Sequence, residues 1–85
     1  MKEFKYTITD EIGIHARPAG MLVKAVADFK EEITLSCKGK SADARRLMAL
    51  MAMGVKHGDE VTVQVSGEKE EETAAFLESF LKENL

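Results

Sequence analysis

Apolar and polar residues alternate at the start of the chain, where Phe4, Tyr6 and Ile8 interleave with Lys5, Thr7 and Thr9. This two-residue period predicts a strand with one buried face. Asp10 to Ile14 reads as a loop around Gly13, after which the period lengthens to that of a helix from about Ala16 to Ala27. On that helix Ala16, Ala19, Leu22, Val23, Val26 and Ala27 share a broad apolar face, and Arg17, Gly20, Met21 and Lys24 lie opposite. Ile33, Leu35 and Cys37 alternate with Thr34, Ser36 and Lys38 in a second strand. Gly39 supports a tight turn into a short third strand over Lys40 to Asp43. Val61, Val63 and Val65 mark a fourth strand, preceded by a turn at His57 and Gly58 and ended by Gly67. A last helix begins near Glu70, where three glutamates complement the helix dipole. Thr73, Ala74, Phe76, Leu77, Phe80 and Leu81 form its apolar arc.

Between the third and fourth strands lies RRLMALMAMG, closed by Gly54, a plausible helix C-cap. The run is too apolar for a surface helix and too short for a membrane span. Leu50 and Met53 share one side, while Leu47, Met48 and Met51 occupy another. Two readings stand for that second side: Met as gap filler in a fully buried helix, or an exposed surface where an adaptable thioether fits several partners. Met21, out of place on a solvated face beside Gly20, favours the second. It makes Gly20, Met21 and Lys24 of the first helix and Leu47, Met48 and Met51 of the second two halves of one docking surface.

The order strand, helix, strand, strand, helix, strand, helix is α+β (βαββαβα). Four strands with one apolar face each imply an open-faced sheet covered on one side by helices, in a single domain over residues 1–85. A chain this short buries roughly 60–65% of its unfolded surface, which argues against a deep enclosed cleft. Charge divides the chain: residues 1–58 hold ten Lys or Arg against seven Asp or Glu, and residues 59–85 hold two against eight. Arg17, Lys24, Lys40, Arg45, Arg46 and Lys56 fall in or near the Met-bearing segments, which favours an acidic protein partner or a phosphate. No aromatic residue interleaves with these cations and the acidic tail would repel a polyanion, so nucleic acid is not expected. The lone Cys37 allows no intrachain disulfide and suits a reducing cytoplasm. With no long apolar stretch, neither export nor membrane insertion is expected.

The remaining chemistry gathers in GIHARPAG, residues 13–20. His15 stands just before the second element's start, Arg17 follows, and Pro18 closes the first turn, where its missing N–H is tolerated. Backbone N–H groups at a helix start lack intrahelical partners and, with the dipole, attract anions. A nucleophilic ring therefore coincides with an anion site, and His15 is a candidate phosphoryl acceptor. One charge at a helix N-terminus is worth roughly 0.3–1 kcal/mol. That modest value suits a carrier, because each ~1.4 kcal/mol of extra stabilisation costs onward transfer a factor of about ten. Two distant histidines and one cysteine give no zinc-ligand spacing, and a hydrolase would want a nucleophile and carboxylate that Asp10 or Glu11 could supply only loosely. A helix-start histidine without chemistry remains an alternative while GIHARPAG stands alone; an interaction domain using the Met face alone would leave the order of His15, Arg17 and Pro18 without a purpose.

Gly13, Ile14, His15, Ala16, Arg17, Pro18 and Ala19 match the active-site motif of the HPr family, the histidine-containing phosphocarriers of the bacterial phosphoenolpyruvate-dependent sugar phosphotransferase system (PTS). The KGKSADARRLMALMAMG and GDEVTVQVSGEKEEE segments and the closing helix also fall where that family has them. The resemblance implies an open-faced β-sandwich and a cytoplasmic phosphocarrier, not an enzyme and without cofactor or metal, here expected to be monomeric. It implies that Nδ1 of His15 receives a phosphoryl group from phosphorylated enzyme I and passes it to enzyme IIA domains, with Arg17 stabilising the group. The alternative within the same fold is a regulatory paralogue of a nitrogen or dihydroxyacetone branch that signals through phospho-His15. Two positions depart from the family pattern: Gly20 stands where Ser, Thr or Ala is usual, and Arg46 stands where Gram-positive members carry a regulatory serine. Control by phosphorylation at position 46 is therefore expected to be absent.

Overall fold

The computed structural model describes residues 1–85. Strand β1 (Lys2–Thr7) leads to helix α1 (Ala16–Val26), strand β2 (Glu32–Cys37), strand β3 (Lys40–Asp43), helix α2 (Leu47–Ala52), strand β4 (Glu60–Ser66) and helix α3 (Glu70–Asn84). The four strands form one sheet in the order β1-β4-β2-β3, antiparallel throughout. In this register Phe4 faces Val63, Val63 faces Leu35, and Leu35 faces Ala42, so one row of apolar side chains crosses the whole sheet. Ile33, Leu35, Cys37, Val61, Val63 and Val65 are buried on one face, where they join Leu22 and Val26 of α1, Leu50 of α2, and Leu77 and Leu81 of α3 in a single core cluster. The polar residues between them, Thr34, Ser36, Thr62 and Gln64, stay half-exposed on the other face. This is the open-faced sandwich expected from the alternation.

Two helical faces are narrower than the spacing suggested. In α1 the buried residues are Pro18, Ala19, Leu22 and Val26, while Ala16 and Ala27 are exposed and Val23 is half-buried. At ~100° per residue the buried four span about 100°, and Ala16 and Ala27 fall beyond that arc. Alanine signals helix without signalling burial. In α3, Phe76 lies off the buried arc of Thr73, Ala74, Leu77 and Leu81 and is 41% exposed. It leans edge-to-face on Phe29 with ring centroids 5.2 Å apart, and Phe80 stacks beside it.

One charged residue belongs to the core's edge. Glu31, 7% exposed, accepts hydrogen bonds from the Lys69 N–H (3.1 Å) and the Thr73 hydroxyl (3.0 Å), which ties the α1–β2 loop to the start of α3. The Lys69 N–H is the chief reason its carboxyl is held below the usual range. Gly67 approaches so closely that a Cβ there would strike the Glu31 side chain. The Arg45 guanidinium donates to the Phe29 and Glu31 carbonyls, so Arg45 braces this loop and is not one of the free surface cations assigned to it from the charge pattern.

Candidate functional site

His15 is the N-cap residue of α1, with an extended backbone (φ −123°, ψ −179°) and no side-chain capping bond of its own. Its carbonyl accepts the first helical hydrogen bond, from Ala19 N–H at 3.0 Å. Of the three preceding helical residues Pro18 has no N–H, and the N–H groups of Ala16 and Arg17 have no partner within the protein. The ring therefore stands beside two free donors at the positive end of an eleven-residue helix. A third of its side chain is exposed, and Arg17 is exposed beside it. Asp10, His15, Arg17, Pro18 and Met21 line a shallow depression together with Glu83 and Asn84 from the end of α3.

The loop before His15 is held at several points. Gly13 has φ +91°, a conformation that disfavours any residue with a Cβ, and a Cβ there would overlap the Val55 carbonyl oxygen. Ile14 N–H donates to that same carbonyl at 3.1 Å, and its side chain is buried. Asp10 folds the loop through its Oδ1, which accepts from Ile12 N–H at 2.9 Å and Gly13 N–H at 3.3 Å. The Thr9 and Asp10 N–H groups and the Thr9 hydroxyl all donate to a main-chain oxygen of Leu85. Asp10 Oδ1 also lies 3.7 Å from His15 Nε2. The Asp10 carboxylate is thus anchored near the ring.

The six residues assigned to a docking surface come from two neighbouring helices. Met21 and Lys24 are exposed on α1, with Gly20 half-buried between Arg17 and Met21; on α2, Leu47 and Met51 are exposed and Met48 is 76% exposed. The opposite side of α2 buries Leu50, with Met53 buried just beyond it, and Gly54 follows with φ +68°. α1 and α2 pack against each other, so the two sets stand on neighbouring helices. A Cβ on Gly20 would meet nothing within 4 Å, so the fold itself does not require glycine there. Arg46 is the N-cap of α2 and makes no side-chain capping bond. Glu83 and Asn84 are the site residues that sequence reasoning missed; nearly seventy positions separate them from His15 and nothing in their spacing links them to it.

No group of three His, Cys, Asp or Glu is placed to hold a metal ion, and no helix is long and apolar enough to cross a membrane. Among known proteins, the family described as "PTS HPr component phosphorylation site" matches residues 2–83. The chain is 36% identical to the phosphocarrier protein HPr of Mycoplasma genitalium, over 99% of this chain and 97% of that one. HPr-C-His from Thermoanaerobacter tengcongensis superposes with a TM-score of 0.91 at 31% identity, covering 99% of this chain and 94% of its own. Crh, the Bacillus subtilis catabolite repression containing protein, superposes with a TM-score of 0.78 at 32% identity, covering 100% and 98%, and is described as a swapping-domain dimer.

Proposed function

The chain belongs to the HPr family of phosphocarriers, and from that premise we propose that it carries a phosphoryl group on Nδ1 of His15, taken from phosphorylated enzyme I and passed to enzyme IIA domains. The observation that carries this reading is the His15 ring at an extended N-cap beside the unpaired N–H groups of Ala16 and Arg17. With Asp10 against Nε2, the Nδ1 lone pair is the nucleophile. Phosphorylation places a dianionic group where two N–H donors, the helix dipole and the Arg17 guanidinium favour negative charge. No enclosing wall surrounds the group, so the donor's phosphoryl group and the acceptor's histidine can approach in line, and the partner completes the reaction site.

Met21, Leu47, Met48 and Met51, with Lys24 and Arg46 at their margin, form the surface on which successive acidic partners seat. Such contacts are transient, burying under ~1,200 Å² in total. The working unit in this reading is a cytoplasmic monomer. Arg46 offers no hydroxyl for phosphorylation. Incubation with enzyme I and labelled phosphoenolpyruvate should add an acid-labile phosphate to the wild type and none to a His15→Ala variant, which stays folded because the ring makes no capping bond. Label on that variant, or an unlabelled wild type, would sink the proposal.

A further inference from the structure

We infer that Asp10 is a positioning residue for phosphoryl transfer: its carboxylate keeps the His15 proton on Nε2 and balances the positive charge of the ring while Nδ1 carries the phosphoryl group. The inference rests on the reading of His15 as the acceptor. Asp10 Oδ1 lies 3.7 Å from His15 Nε2, within ion-pair range. The carboxylate cannot swing away freely, because the same oxygen accepts from the Ile12 and Gly13 N–H groups and the Asp10 N–H donates to a main-chain oxygen of Leu85. A negative charge therefore sits against one edge of the imidazole. The other charged groups at the depression are Arg17 from α1 and Glu83 from α3. Of these three, Asp10 alone is paired with the ring.

The carboxylate discriminates between the two neutral tautomers. With the proton on Nε2, the positive end of the N–H dipole lies nearest Oδ1, at 3.7 Å and so by charge–dipole attraction and not a hydrogen bond, and the Nδ1 lone pair is free; with the proton on Nδ1, the Nε2 lone pair would lie nearest the carboxylate, which is repulsive. In the transfer, the Nδ1 pair attacks phosphorus, the bond from phosphorus to the donor nitrogen breaks, and its electron pair stays with the donor. The ring, still protonated at Nε2, becomes a phosphoimidazolium whose positive charge is countered by Asp10. On onward transfer the acceptor's lone pair attacks phosphorus, the Nδ1–P bond breaks and its pair returns to Nδ1, regenerating the starting tautomer. No proton moves in either direction. Because both side chains are about one-third exposed, water screens the pair and its effect is modest, about two- to five-fold.

The discriminating variant is Asp10→Asn, whose amide oxygen still accepts from Ile12 and Gly13 but carries no charge. Two readouts apply: the Nε2–H tautomer share in unphosphorylated protein, from ring 15N NMR, and the lifetime of phospho-His15 against pH. Phosphoimidazole loses its phosphoryl group faster when the ring is protonated, so the variant should lower the Nε2–H share and lengthen the phospho-His15 lifetime near neutral pH by about two- to five-fold. Transfer to an acceptor should slow by a similar factor, with the melting temperature close to wild type. Asp10→Ala removes the turn as well as the charge. If Asp10→Asn matches wild type in tautomer and lifetime while Asp10→Ala is impaired, Asp10 only shapes the loop and the inference is overturned. If wild type accepts no phosphate, the reading of His15 fails instead, and the tautomer measurement still decides the role of Asp10.

Discussion

At the scale of single residues, Gly13 explains how the loop delivers His15 to the helix start. Its positive φ and its contact with the Val55 carbonyl leave no room for a side chain, and the next N–H, that of Ile14, bonds the same oxygen. A Gly13→Ala variant must push Val55 away and occupy a strained backbone region, which costs about 2–4 kcal/mol. Because the displaced peptide is two residues from His15, phosphoryl transfer should fall further than the lost stability explains; transfer rates measured well below the melting transition check this. Glycine in a loop is easily read as a turn. Its closeness to Val55, forty-two positions on, is a property of the folded chain.

At the scale of elements, α1 and α2 begin differently. α1 starts at Ala16 with its first donors free for an anion, whereas α2 starts after Arg46, whose side chain neither accepts an N–H nor suits the positive end of a dipole. Nothing in α2 compensates at its own N-terminus, so Arg46→Ser should stabilise the domain by about 1 kcal/mol through a hydroxyl that accepts from Met48 or Ala49 N–H. Chemical denaturation of the two forms measures the difference, and equal midpoints would mean the hydroxyl finds no N–H. Strands β1, β2 and β4 and helices α1 and α3 followed from periodicity, because α and β spacing differ wherever one face is buried, while β3 followed from the turn at Gly39 and α2 from an apolar run closed by Gly54. The exact buried arcs did not follow: Pro18 replaced Ala16, and Phe76 was left at the edge, since which part of an apolar arc is covered depends on where the sheet lies.

At the scale of the whole molecule, α1 packs beside α2, and Met21, Leu47, Met48 and Met51 are exposed on the two helices. Met48, 76% exposed, makes the cleanest probe. Met48→Glu removes little buried area, so stability should change by less than about 0.5 kcal/mol. It should nevertheless slow transfer from enzyme I by repelling an acidic partner and losing an apolar contact. An unchanged rate in a folded variant would show that Met48 does not meet that partner. The same scale reassigns Arg45, counted among the basic surface residues, to the carbonyls of Phe29 and Glu31.

What the amino-acid order by itself determined is the set of elements, the single apolar face of the sheet, the helix start at His15 and the candidate nucleophile beside Arg17. These are local, carried by periodicity, by Pro18, and by a motif of adjacent residues. Only the tertiary structure decided that the Asp10 carboxylate lies 3.7 Å from His15 Nε2, that Glu83 and Asn84 line the same depression, and that Glu31 and Arg45 are both held at the core's edge. Each of those depends on contacts between distant segments, whose partners are selected by packing and not by spacing along the chain. GIHARPAG supplies the ring and the helix end; the rest of the fold sets which charged groups lie beside them.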